Sequence, residues 1–173
     1  MDDSRDTLSS IVDDLRRERR SRRIRATVLG LLLLIVLAAL AGELGVRSAH
    51  ATARGPDGLS VDVEYAEVAR PGLSAPLSFR IHRAGGFDRP IEVSVPTSYL
   101  EAFDENGFEP DPAQSTVDGK RTRWVYDPPA GDVLVVWFDH RLEPGVQWRH
   151  DGDVKVTTGS ASAQVGFTTW VLP

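Results

Sequence analysis

Three hydrophobic patterns succeed one another along the chain. Near the start, Leu8, Ile11, Val12 and Leu15 recur at i, i+3, i+4 and i+7, the spacing that gathers side chains on one face of a helix. Asp13 with Arg17 and Glu18 with Arg22 stand four apart and support the same short amphipathic helix, which would start near Asp6 or Ser10. From Thr27 to Gly42 the chain reads TVLGLLLLIVLAALAG, sixteen residues with no charge and no polar face. Extended to Val46, this run reaches about 30 Å as an α-helix, the thickness of a bilayer's hydrocarbon core, with Glu43 near the outer interface. It is expected to cross a membrane.

The third pattern has period two. Leu59, Val61, Val63 and Tyr65 alternate with Ser60, Asp62 and Glu64; Leu77, Phe79 and Ile81 with Ser78, Arg80 and His82; Ile91, Val93 and Val95 with Glu92 and Ser94. Thr122, Trp124 and Tyr126 continue it, and the apolar run Val133 to Phe138 predicts a central strand buried on both faces. Val154 to Thr158 and Ala163 to Val171 close the chain as a hairpin through Gly159-Ser160-Ala161-Ser162. Arg70-Pro71-Gly72, Gly85-Gly86 and Pro128-Pro129-Ala130-Gly131 supply turns. About seven short strands with no long helix among them predict an all-β, immunoglobulin-like sandwich of antiparallel sheets, with Phe79, Val93, Trp124, Val135, Trp137 and Phe167 in its core. Two stretches lack the pattern. Ser48 to Gly58 is small, polar and broken by Gly-Pro, which reads as a linker; Pro96 to Gly119 reads as a long loop with at most one helical turn around Tyr99 to Phe103.

Charge orients the span. Seven Arg, from Arg16 to Arg25, precede it, whereas only Arg47 and Arg54 follow it closely, so the N-terminus belongs in the cytoplasm. The expected organisation is a cytoplasmic Arg-rich segment (1–26), a transmembrane helix (27–46), a linker (47–58) and an extracytoplasmic domain (59–173). The cytoplasmic helix reads as a plain topology determinant, the alternative being a segment that lies on the inner leaflet or docks a partner's helix. Ala49-His50-Ala51 and Ala51-Thr52-Ala53 match a signal-peptide cleavage site, but the long charged region and the intervening Glu43 and Arg47 favour an uncleaved anchor. Ser21-Arg22-Arg23 matches a twin-arginine signal poorly, because Arg25 stands where an apolar residue is needed.

Residues 1–26 hold eight Arg against six acids, while residues 43–173 hold twelve basic against nineteen acidic side chains, a balance of −7 that argues against nucleic acid as a partner. There is no cysteine, which excludes disulfides, thiolate metal sites, a thiol nucleophile and a lipidated cysteine. Eighteen of twenty basic residues are Arg, a composition typical of GC-rich coding DNA and so of a bacterial source.

The opening strand, Arg70-Pro71-Gly72 and the alternating Leu77 to Ile81 together resemble the start of immunoglobulin-like adhesion and repeat domains found outside bacterial cells. The whole layout is similar to that of small single-pass proteins of bacterial envelopes. This resemblance covers residues 58–173 and the span, rests on pattern, and implies fold and location only.

No stretch carries a catalytic, cofactor or metal motif. Asp104, Asn106, Glu109 and Asp111 surround Gly107, but the spacing fails a calcium-loop template and reads as a solvated turn. Asp139-His140 lacks a nucleophile in a recognisable setting, since Ser160 and Ser162 sit in a hairpin. His50, His82, His140 and His150 have no metal spacing and read as surface residues. Trp148 with Arg149, joined by Tyr99, Phe103 and Phe108 of the long loop, is the expected contact surface. The expected function is a membrane-anchored, non-enzymatic interaction module that binds another envelope protein; the alternative is a small-ligand or Ca²⁺ sensor using the acidic loop.

Overall fold

The alternating segments form strands as expected, the last two pair as the expected hairpin, and further strands join them. The computed structural model describes residues 22–39 and 45–173, with backbone only for 105 and 106. The chain divides into two units, residues 1–44 and 45–173. In the first, α1 covers residues 22–39, and its large aliphatic side chains from Ile24 to Leu37 are exposed on every side. Among the described residues no helix is long and apolar enough to cross a membrane. Arg22, Arg23 and Arg25 lie in α1 ahead of its uncharged stretch, whose described part, residues 26–39, spans about 21 Å. The expected span to Val46 is not helical throughout, because Gly45 and Val46 already belong to the second unit. Residues 40–44 and the proposed amphipathic helix before Arg22 lie outside the described residues.

The second unit is mostly β. Its elements are β1 (Arg47–Arg54), β2 (Leu59–Ala69), β3 (Leu77–Arg83), β4 (Ile91–Pro96), α2 (Thr97–Leu100), β5 (Phe103–Glu109), β6 (Gln114–Val117), β7 (Arg121–Tyr126), β8 (Val133–Leu142), β9 (Trp148–Thr158) and β10 (Ala161–Val171). Seven of these ten strands stand where the alternation predicted them. The other three correct it. The expected linker holds β1, which pairs along its whole length with β2; its inward residues are Ala49, Ala51 and Ala53, too small to mark a strand. The expected long loop contains the single turn α2 and two edge strands, β5 against β8 and β6 against β7.

Hydrogen bonding runs through one curled sheet, a half-barrel of order β5-β8-β3-β2-β10-β9-β4-β7-β6 with β1 beside β2, rather than through two separate sheets. All pairings are antiparallel except β2 with β10, which meet in parallel over only two residue pairs, Val68 with Trp170 and Ala69 with Val171. The concave side encloses Phe79, Val93, Trp124, Val136, Val154, Val156 and Phe167. Two expected core residues are elsewhere. β8 alternates instead of being buried on both faces: Leu134 and Val136 point inward, Val135 is only partly covered, and Trp137 is exposed. A smaller cluster of Ala66, Ala69, Ala75, Ala102, Leu142 and Val171 fills one end of the domain, with Val46 packed on it.

Candidate contact surface

Of the five side chains expected at the surface, the fold takes three inside. α2 tucks Tyr99 into the core at 2 % exposure, where its hydroxyl shares a 3.0 Å hydrogen bond with the buried Thr169 hydroxyl. Burial pushes the Tyr99 phenol far above its usual range. Phe103 and Phe108 both lean on the core, although they stand five apart and strict alternation would put them on opposite faces. The register of β5 shifts by one between Glu105 and Gly107, a β-bulge that resets the phase. Their rings join a continuous aromatic chain. Tyr99 meets Phe167 at 5.2 Å and Phe103 at 5.1 Å, Phe103 meets His140 at 4.6 Å, and Phe108 meets Phe138 at 4.7 Å and Trp124 at 5.1 Å.

Trp148 and Arg149 stay outside. On β9 the residues sharing Trp148's parity, Gly152, Val154 and Val156, are buried, and Trp148 pairs with the buried Val171. Alternation would therefore bury it. Instead its φ is +75°, and the ring is turned out to 66 % exposure. Such a left-handed backbone costs a bulky residue about 1–2 kcal/mol. Arg149 lies opposite Trp170 and donates to Asp151 at 2.9 Å.

Two further exposed tryptophans were missed from the sequence. Trp137 is 53 % exposed and Trp170 45 %, against 1 % for Trp124. The signal was present: Asp139 and Arg141 share Trp137's parity, and Gln164 and Thr168 share that of Trp170, so charged and polar neighbours mark both as outward. Trp137 stands opposite Glu109 of β5, and a recess of about 360 Å³ beside it is lined by Gly107, Phe108, Glu109, Phe138 and Asp139. A Cβ at Gly107 would meet nothing within 4 Å, so this flank of the tryptophan is open. β5 ends the strand order, and its outer edge has no partner among the described strands.

The polar candidates are dispersed. Asp104 is held by Arg141 at 3.1 Å and lies on a strand, not in the expected acidic loop; the side chain of Asn106 lies outside the described residues. Among the described residues no three His, Asp or Glu side chains gather as a metal site. His50 is exposed and paired with Asp62 at 3.0 Å, a hydrogen bond that raises its pKa; His82 lies 3.4 Å from Asp132, and His150 Nε2 lies 3.2 Å from the Gln147 carbonyl. His140 corrects the surface reading, because it is 4 % exposed on β8 between the rings of Phe103 and Phe138. Burial lowers its pKa, only partly opposed by the hydrogen bond of Nδ1 with the Phe138 carbonyl and by Asp139, and Nε2 has no hydrogen-bond partner among the described residues. Ser160 follows Gly159 in the two-residue β9–β10 turn, where Gly159 has φ +59°. Compared with known proteins, the chain matches no protein-family model and no curated protein.

Proposed function

We propose that the chain is a membrane-tethered, non-enzymatic interaction module whose β domain, outside the cytoplasm, binds another protein of the cell envelope. One observation carries the reading: large apolar side chains are exposed in both units, all round α1 and, in the β domain, at three of the four tryptophans together with Leu73, Val117 and Leu172. Water disfavours both, at about 25 cal/mol per Å² of apolar surface left uncovered. A bilayer covers the first, with the run Thr27 to Gly42 as the anchor and the preceding arginines keeping the N-terminus inside. A protein partner covers Trp137. The open edge of β5, the recess and an exposed aromatic beside it suit a segment that adds a strand to β5 and seats a side chain against Trp137. The immunoglobulin-like reading of the domain belongs to the same proposal. What supports it is the two-pair parallel junction of β2 and β10, where two groups of antiparallel strands meet around one core.

A photo-crosslinking amino acid at position 137 of the full chain in intact cells tests this. The expected product is a single adduct with a membrane or envelope protein, absent when the crosslinker is at Gln164. Equal adducts from both positions, or recovery of the chain in the soluble fraction after alkaline washing of membranes, would overturn it.

A further inference from the structure

Apart from Val117 on the edge strand β6, the remaining exposed large apolar residues lie together at one end of the β domain. Backbone pairing places Arg47 beside Val68, Val68 beside Trp170, and Val171 beside Trp148, while Leu172 donates to the Ala69 carbonyl and Leu142 to the Leu73 carbonyl. Trp148, Trp170, Leu73 and Leu172 are all exposed there. It is also the end at which the chain enters the domain, since Val46 packs on the small Ala69, Leu142 and Val171 cluster. In sequence, Val46 follows residue 39, the last described residue of α1, by seven positions.

We propose that this end rests on the outer surface of the bilayer, with Trp148 and Trp170 seated at the level of the lipid headgroups. The inference rests on the tethered reading above. Tryptophan is the side chain that interfaces favour, because its ring is apolar while its N–H still reaches water or a headgroup. The left-handed backbone of Trp148 fits this role, since it carries the ring away from the core that its strand parity would give it. Charge distinguishes the lipid class. Arg47 pairs with Glu67, Arg149 with Asp151 and Arg141 with Asp104, while Arg70 donates to the Pro173 oxygen, so most of the surrounding cations are already matched by carboxylates. Contact is therefore apolar and interfacial, and it needs no anionic lipid.

The test reconstitutes the full chain into phosphatidylcholine vesicles whose acyl chains carry bromine near the headgroup, and reads tryptophan fluorescence. In the wild type a substantial fraction is quenched. Trp148→Phe with Trp170→Phe should remove more than half of that quenching, Trp137→Phe should leave it in place, and replacing a fifth of the lipid by phosphatidylglycerol should not change it. Trp148→Gly, which also relieves the backbone, serves as a second variant and should lower the quenched fraction. A chain that sediments with vesicles yet shows no quenching, or quenching that survives the double variant or requires anionic lipid, would overturn this inference and leave the tether standing. A chain that fails to sediment with vesicles sinks the tether itself.

Discussion

The middle of the β domain and its Val46 end are built from different side chains. The middle packs Phe79, Trp124, Phe138, Tyr99 and Phe167 in ring-to-ring contact, surrounded by Val and Ile at near-zero exposure. The end is closed by four alanines with Leu142 and Val171, and beyond it the large residues point outward. Each buried aromatic removes far more apolar surface from water than an alanine does, so cohesion is concentrated in the middle. The end has little to lose by exposing its tryptophans. Stability and the proposed lipid contact are thereby assigned to separate parts of one sheet.

The largest test of that division is Trp124→Ala. Trp124 is 1 % exposed and touches Phe108 and Phe138, so its removal should cost about 3–5 kcal/mol and lower the melting temperature by roughly 10 °C or more. Thermal unfolding of the full chain in detergent measures it. If Trp148→Ala costs as much, the division between middle and end fails. Gly152→Ala is next. A Cβ there would lie 2.9 Å from the rings of both Phe167 and Tyr99, closer than packed atoms approach, and the overpacking should cost about 1–3 kcal/mol. A neutral result would mean that the middle is looser than its ring contacts imply.

Seven strands were legible because their inward positions carry large apolar residues at every second place. The three that were not each hide the alternation differently. In β1 the inward residues are alanines; in β5 the bulge between Glu105 and Gly107 shifts the phase between Phe103 and Phe108; in β6 all four residues are exposed, so there is no inward set to detect. The contact surface suffered from the same bulge, which made two inward phenylalanines look like loop residues. Trp137 was legible and misjudged, since a run of apolar residues suggested two buried faces while Asp139 and Arg141 already marked one of them as wet. The outward turn of Trp148 could not be read from pattern, because its parity gives the opposite answer and only its φ decides.

His140 offers a smaller test, by pH. Its folded pKa lies below the ordinary value of 6.5, chiefly because burial disfavours the charged ring. The unfolded chain therefore binds the proton more readily. Stability is fully present above about pH 6.5 and is lost as pH falls below it, so the melting temperature should drop between pH 7.5 and 5. His50 acts with the opposite sign in this window, since its raised pKa adds stability that is present below pH 6.5 and lost as pH rises through the folded value. His50 is exposed and screened, so the buried histidine decides the direction. His140→Gln should start from a lower melting temperature and lose most of the slope, whereas His50→Gln should steepen it. An unchanged slope in His140→Gln would remove the histidine from the account.

The smallest effect has the reverse sign and bears on the end alone. Trp148 is two-thirds exposed, so replacing it removes little buried surface, while glycine adopts a φ of +75° without the steric penalty that tryptophan incurs. Trp148→Gly should therefore hold or raise stability by up to about 1 kcal/mol, a shift of a few degrees at most. The same substitution should weaken the lipid contact. A residue whose removal steadies the fold while impairing contact is one that folding alone does not explain, which is the relation expected between strain and function. A clear loss of stability in Trp148→Gly would instead make the ring a structural cover for the alanine-lined end, and the separation between the two regions would disappear.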